Sequence, residues 1–118
     1  MLFRQLYDTP LAQASYFIGC QRSGEAIVVD PLRDVEPYLD LARREGMRIV
    51  AVTETHIHAD FCSGLRELAA RTGAQAYVSG EGGADWRYGF AAGDGAIELH
   101  DGDVIPLGNI RLTAMHTP

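Results

Sequence analysis

The stretch Thr53–Gly64, TETHIHADFCSG, decides how the rest of the chain is interpreted. It follows the apolar segment Arg48–Thr53, which is typical of a short buried strand, and precedes a helical pattern that ends at Gly73. Two histidines within it, His56 and His58, are separated by one residue. On an extended loop such positions point the same way, so two imidazoles can converge on one metal ion. The stretch therefore predicts a metal-binding loop at the carboxyl end of a strand, the edge where open α/β sheets bind ligands.

Asp60 lies two residues beyond His58 and has two candidate roles. It can cap the following helix, or it can add a carboxylate to the site. Imidazole and carboxylate together suit zinc, iron or manganese. Because pairs of histidines also occur by chance, a purely structural pair is the alternative. The position between a strand end and a helix start favours the metal.

The flanking patterns predict one mixed α/β sheet. Three β-rich segments form a meander, after which the apolar period becomes helical and stops at Gly46. Strand, helix and strand then alternate, which implies parallel pairing with right-handed crossovers and helices on the outer face. A tight turn is expected at His100–Asp103. The predicted strands are Phe3–Tyr7, Ala14–Cys20, Ala26–Asp30, Arg48–Thr53, Ala74–Ser79 and Ile110–Met115.

Composition limits the class of protein. The 118 residues fit one domain, and 47% apolar with 22% charged residues is typical of a soluble globular protein. All ten basic residues are Arg, and 16 acidic residues bring the net charge to −6, which is a poor match for nucleic acid. Apolar runs are too short to span a bilayer, and no signal peptide is visible, so we expect a cytoplasmic protein without a membrane partner. Cys20 and Cys62 form no CxxC motif.

Four motifs, in order along the chain, resemble those of the metallo-β-lactamase fold. Thr55–Asp60 resembles its Thr-His-x-His-x-Asp-His signature, and Ile27–Pro31 resembles its strand ending in Asp-Pro. Asp101–Asp103 resembles its Asp-Gly-Asp turn, and Met115–Pro118 resembles the opening of its His-Thr-Pro-Gly-His-Thr segment. The resemblance implies that residues 1–118 are a single, truncated domain, the N-terminal half of an αββα sandwich.

Within this fold, the histidine stretch and the Ser-Gly-x-Arg-Glu-Leu-Ala helix are most similar to the persulfide dioxygenases, in the bacterial branch fused to rhodanese domains. That resemblance implies one Fe(II), with zinc as the alternative metal, and His56 as a ligand. His58 is either a ligand or a partner that orients bound water, and Asp60 supports the loop from outside the metal's own shell. The remaining His and Asp ligands would follow Pro118, so we expect weak or absent metal binding in the 118-residue form.

The implied reaction oxidises a glutathione-type persulfide with O₂ to sulfite and the thiol. The implied partners are this small molecule and a rhodanese domain in the same full-length chain. A homodimer is compatible with the sequence. Phe61 stands where two-metal members have a histidine, which counts against the competing function of a glyoxalase-II-like thioester hydrolase. A non-catalytic fragment of the fold is the third alternative.

Several side chains outside the two histidines also have predicted places. We expect Phe61 to be the first residue of the helix, with its ring either packed in the apolar interior or lining the pocket wall, so that Phe61→His would admit a second metal. Cys62 and Trp86 are expected in the core, His100 in solvent, and His116 in a structural turn.

Overall fold

The computed structural model of the protein describes residues 1–10, 13–55, 64–80 and 95–115. This part of the chain contains two helices, α1 and α2, and eight strands, β1 to β8. In chain order they are β1 Leu2–Asp8, β2 Gln13–Cys20, β3 Glu25–Val29, α1 Glu36–Glu45, β4 Arg48–Thr53, α2 Leu65–Thr72, β5 Gln75–Ser79, β6 Ile97–Leu99, β7 Val104–Leu107 and β8 Ile110–Thr113.

Six of the strands form one mixed sheet in the order β1-β2-β3-β4-β5-β6. The first three pair antiparallel, as the predicted meander requires. From β3 to β6 the pairing is parallel, in agreement with the predicted strand–helix alternation. Parallel pairing brings the carboxyl ends of β3, β4, β5 and β6 to one edge of the sheet.

Each face of the sheet has its own apolar core. On one face, α1 and α2 pack over residues such as Phe17, Val28 and Val52, all of which are fully buried. On the other face, the antiparallel hairpin of β7 and β8 covers Ile27 and Ala51. The predicted fold class is confirmed: a mixed α/β sheet with helices on its outer face.

The helix ends confirm two predicted stops and correct one predicted start. Gly46 and Gly73 end α1 and α2 in the left-handed conformation, at φ 65° and 73°, which glycine adopts without steric cost. The start of α2 is at Leu65, with Gly64 as its N-cap and no capping side chain. The predictions that Asp60 caps this helix and that Phe61 is its first residue are therefore wrong.

The physical reason lies in the backbone partners of Gly64. Its N–H donates to the carbonyl of Pro31 at 2.9 Å, and its own carbonyl accepts the first helical hydrogen bond, from Leu68 N–H, at 2.8 Å. A backbone contact made across the fold therefore sets the start of α2, in place of a side-chain cap.

The C-terminal elements follow the prediction closely. The turn at His100–Asp103 closes through a hydrogen bond from Asp103 N–H to the carbonyl of His100 at 3.0 Å, and His100 is exposed. The last strand ends at Thr113, two residues before the predicted Met115. In the part of the chain that the structure describes, no helix is long and apolar enough to cross a membrane.

Candidate metal centre

The structure places both ends of the histidine stretch at the edge predicted for it. Thr55 follows the carboxyl end of β4, and Gly64 opens α2. His56, His58, Asp60 and Phe61 lie outside the described residues, so the predicted directions of their side chains stay predictions. The predicted positions of Cys62, Trp86 and His116 also fall outside them.

Asp30 anchors the first end of the stretch. Its carboxylate accepts two hydrogen bonds from Thr55, from N–H to Oδ1 and from Oγ1–H to Oδ2, each 2.7 Å long. The N–H of Asp30 donates to the carbonyl of Thr53 at 2.9 Å. Because β3 and β4 are parallel neighbours, the residue after β3 reaches the residues after β4. Thr55, the residue before His56, is thus held at backbone and side chain together.

The conformation of Asp30 makes this contact possible. Its φ is 57°, the single non-glycine residue with positive φ in the described chain, and its exposed fraction is 4%. Aspartate is among the few residues that adopt the left-handed region at low cost. This conformation ends β3 at Val29, one residue before the predicted Asp30, and turns the carboxylate towards β4.

Gly64 anchors the second end on the residues that follow Asp30. Besides its hydrogen bond to Pro31, it packs so closely that a Cβ added there would lie 2.0 Å from the carbonyl oxygen of Leu32. The backbone of Asp30–Leu32, which we call the anchor turn, therefore contacts both ends of the histidine stretch. Gly64 is required here for close approach, since its φ of −88° is open to any residue.

Other polar groups at this edge join neighbouring strands. Thr53 Oγ1 donates to the carbonyl of Tyr77 at 2.8 Å, which ties the end of β4 to β5. Glu54 is 9% exposed. Among the described residues no group of three His, Cys, Asp or Glu side chains could hold a metal ion. His56, His58 and Asp60, whose side chains are of types that can bind a metal, lie in the sequence between the two anchored ends, and their role at the site stays a prediction.

Cys20 is a titratable residue whose surroundings the sequence did not reveal. Its thiol is 3% exposed at the end of β2, at the opposite edge from the anchor turn. Hydrogen bonds from the Ser23 side chain and from the backbone N–H of Asn109 lower the pKa of Cys20 from 9.0 to about 7. The contact with Asn109 spans 89 positions in sequence, so no local pattern could have predicted it.

The pattern of the Metallo-beta-lactamase superfamily matches residues 8–118. The chain belongs to this superfamily. It is 29% identical, over its whole length, to persulfide dioxygenase ETHE1 of Homo sapiens, covering 44% of that protein. It is 37% identical, over 88% of its length, to hydroxyacylglutathione hydrolase of Polaromonas, covering 37% of that protein.

A crystal structure of a metallo-beta-lactamase from Staphylococcus aureus superposes with a TM-score of 0.94 at 45% identity. That match covers 99% of this chain and 33% of the other. The chain thus spans less than half the length of each of these three proteins. Membership implies metal binding, and members of the superfamily are typically enzymes.

Proposed function

We propose that the chain is the metal-loop half of a persulfide dioxygenase that uses one Fe(II). The observation that carries the proposal is the anchor turn, which contacts Thr55 and Gly64, the described residues on either side of the predicted metal ligands, at the carboxyl edge of the sheet. Fixing the two ends of a loop reduces the conformational entropy that the loop loses when it binds a metal. The choice of dioxygenase rests on Phe61, because phenylalanine cannot ligate a second metal.

The donor chemistry of the stretch fits this metal. His56 and His58 would supply neutral imidazoles, which iron and zinc both accept, and Asp60 would support them from outside the metal's own shell. Ferrous iron supplies open positions for O₂ and a sulfur ligand when it is bound. The chain's own part is to hold the imidazoles in place through Thr55 and Gly64, and to keep the site beside a buried, apolar sheet.

The second candidate function is thioester hydrolysis. Its support is the 37% identity to a hydroxyacylglutathione hydrolase, higher than the 29% identity to the human dioxygenase. Both reactions use glutathione-type substrates, so the substrate class alone does not separate them. The number and identity of the metals do, because two metals activate water for hydrolysis.

Metal content and reaction products test the proposal on the full-length natural protein. We expect one iron per chain by elemental analysis, O₂ uptake with glutathione persulfide, and sulfite as product. His56→Ala should abolish all three, whereas His100→Ala, at an exposed histidine outside the stretch, should leave them unchanged. Two zinc ions per chain with hydrolysis of a hydroxyacylglutathione thioester would establish the hydrolase instead. Absence of metal would establish the non-catalytic module.

Phe61→His sharpens the choice between one metal and two. In the dioxygenase we expect this variant to bind a second metal, with His58 and Asp60 as neighbours. A wild-type protein that already holds two metals would show that Phe61 is not at the second site.

The proposed context of the enzyme is cytoplasmic, with a rhodanese domain in the same natural chain. Neither nucleic acid nor membrane is proposed as a partner, in keeping with the net charge of −6. Sequencing the natural reading frame tests directly whether it encodes a rhodanese domain. Analytical ultracentrifugation of the encoded protein tests whether it is a homodimer.

A further inference from the structure

We propose that Tyr38 is a positioning residue for the metal loop, by which we mean the segment between Thr55 and Gly64. Tyr38 acts on the two ends of this segment through the anchor turn, and the inference rests on the proposed function. The phenol ring belongs to α1 and is 2% exposed. Its Oη accepts a hydrogen bond from the backbone N–H of Leu32 at 2.9 Å. Leu32 is the last residue of the anchor turn, so the phenol holds that turn at its final residue.

A second buried hydroxyl holds the phenol in turn. Ser15, on β2, is fully buried, and its Oγ lies 2.8 Å from the Oη of Tyr38. Since Oη accepts from Leu32, its own proton is available for Ser15, and Ser15 Oγ–H points to the carbonyl of Leu6 at 3.4 Å. The last of these contacts is long and weak. The other two link β2 of the sheet to the anchor turn, through a buried contact between Ser15 and Tyr38 and a partly buried one between Tyr38 and Leu32.

The anchor turn passes this constraint on to the loop. Leu32 is held at its N–H by Tyr38, and its carbonyl oxygen is the atom against which Gly64 packs. The carbonyl of Pro31, a fully buried residue, accepts a hydrogen bond from the N–H of Gly64. The carboxylate of Asp30 accepts a hydrogen bond from the N–H of Thr55. A displaced Leu32 would therefore move both ends of the loop. Packing of α1 in the apolar core requires only the ring of Tyr38. We therefore assign the positioning of the anchor turn to the hydroxyl.

Amide hydrogen exchange on the full-length natural protein tests this inference without any metal. We expect Tyr38→Phe to accelerate exchange about tenfold at Thr55 and Gly64, while amides in the middle of β3 and β4 keep their wild-type rates. Tyr7→Phe is the matched control, because it removes the same hydroxyl from a tyrosine that is 60% exposed. Acceleration confined to Leu32, or spread evenly over the sheet, would overturn the inference.

Ser15→Ala provides the second variant if Tyr38→Phe does not fold. It leaves the phenol in place but removes its partner, and we expect a smaller acceleration at the same two amides. Unchanged exchange at Thr55 and Gly64 in a folded Ser15→Ala protein would overturn the inference in that case.

Titration with cobalt(II), followed by its visible absorption, connects positioning with the site. We expect Tyr38→Phe to weaken cobalt binding about tenfold, with Tyr7→Phe unchanged. Equal affinity in Tyr38→Phe and wild type would overturn the inference. If the wild type binds neither cobalt nor iron, the proposed function fails, and the exchange rates still decide whether Tyr38 positions Thr55 and Gly64.

Discussion

The two ends of β3 are both joined to distant backbone by a carboxylate, but in different surroundings. At the carboxyl end, Asp30 is 4% exposed and accepts two hydrogen bonds of 2.7 Å from Thr55. At the amino end, the Glu25 side chain is 31% exposed, accepts the N–H of Gly108 at 2.9 Å and faces Arg48 at 3.4 Å. The buried carboxylate holds Thr55, at the start of the histidine stretch, and the partly exposed one holds the β7–β8 hairpin on the sheet.

Carboxylates that make similar hydrogen bonds contribute differently to stability according to their burial. Water competes for an exposed carboxylate and screens its charge, whereas a buried one that loses its partners keeps its full desolvation cost. We therefore expect substitutions around Asp30 to cost more than those around Glu25. Four measurements test this expectation.

The largest expected effect is that of Asp30→Ala. Loss of both hydrogen bonds to Thr55 and the left-handed backbone now imposed on alanine should lower the free energy of unfolding by about 3 kcal/mol. Urea denaturation measures it. The control is Asp30→Asn, which keeps an oxygen acceptor and tolerates the same φ, and should cost about 1 kcal/mol. An Asp30→Ala protein as stable as Asp30→Asn would remove the basis for the comparison.

Gly64→Ala should follow, since the new methyl group would meet the carbonyl oxygen of Leu32. The backbone must shift, at a cost of about 2 kcal/mol in unfolding free energy. Gly46→Ala is the matched control, because nothing lies within 4 Å there and only its φ of 65° is unfavourable, for about 1 kcal/mol. Thermal or urea unfolding of both variants ranks them, and the reverse order would contradict the close packing of Gly64.

Cys20, near the amino end of β3, should contribute to stability in a way that depends on pH. Its folded pKa of about 7 lies below the ordinary 9.0, so the folded state favours the thiolate. The stabilisation is therefore complete above pH 9 and lost as the pH falls through 7. The stability of wild type relative to Cys20→Ala should rise between these values.

Thiolate absorbance at 240 nm checks the same pKa directly, in a Cys62→Ala background where a single thiol titrates. A midpoint near 9, with a flat stability difference, would show that the hydrogen bonds from Ser23 and Asn109 do not favour the thiolate.

Arg48→Ala should have the smallest effect. The Arg48 side chain is 74% exposed and its contact with Glu25 is 3.4 Å long, so its loss should cost less than about 0.5 kcal/mol in unfolding free energy. That difference should shrink further in 0.5 M salt. A larger, salt-independent loss would mean that the amino end of β3 depends on charge as strongly as the carboxyl end.

Much of this fold was predictable because its signals are local. The strand at Arg48–Thr53 was predicted to the residue, and the stops at Gly46 and Gly73 follow from the left-handed conformation that glycine permits. Asp60 misled the prediction of the α2 start, since an aspartate before a helical pattern is typical of a cap. The actual start depends on Pro31, a residue more than thirty positions away.

The order of the elements, the family signature and the prediction of metal donors at His56 and His58 follow from the sequence alone, because periodicity, turn residues and motif spacing are properties of neighbouring positions. Only the tertiary structure decided how that stretch is held. Parallel pairing of β3 with β4 brings Asp30 to Thr55, and close packing brings Gly64 to Leu32 and Leu32 to Tyr38. These residues are far apart in the chain, and they become neighbours only in the folded sheet.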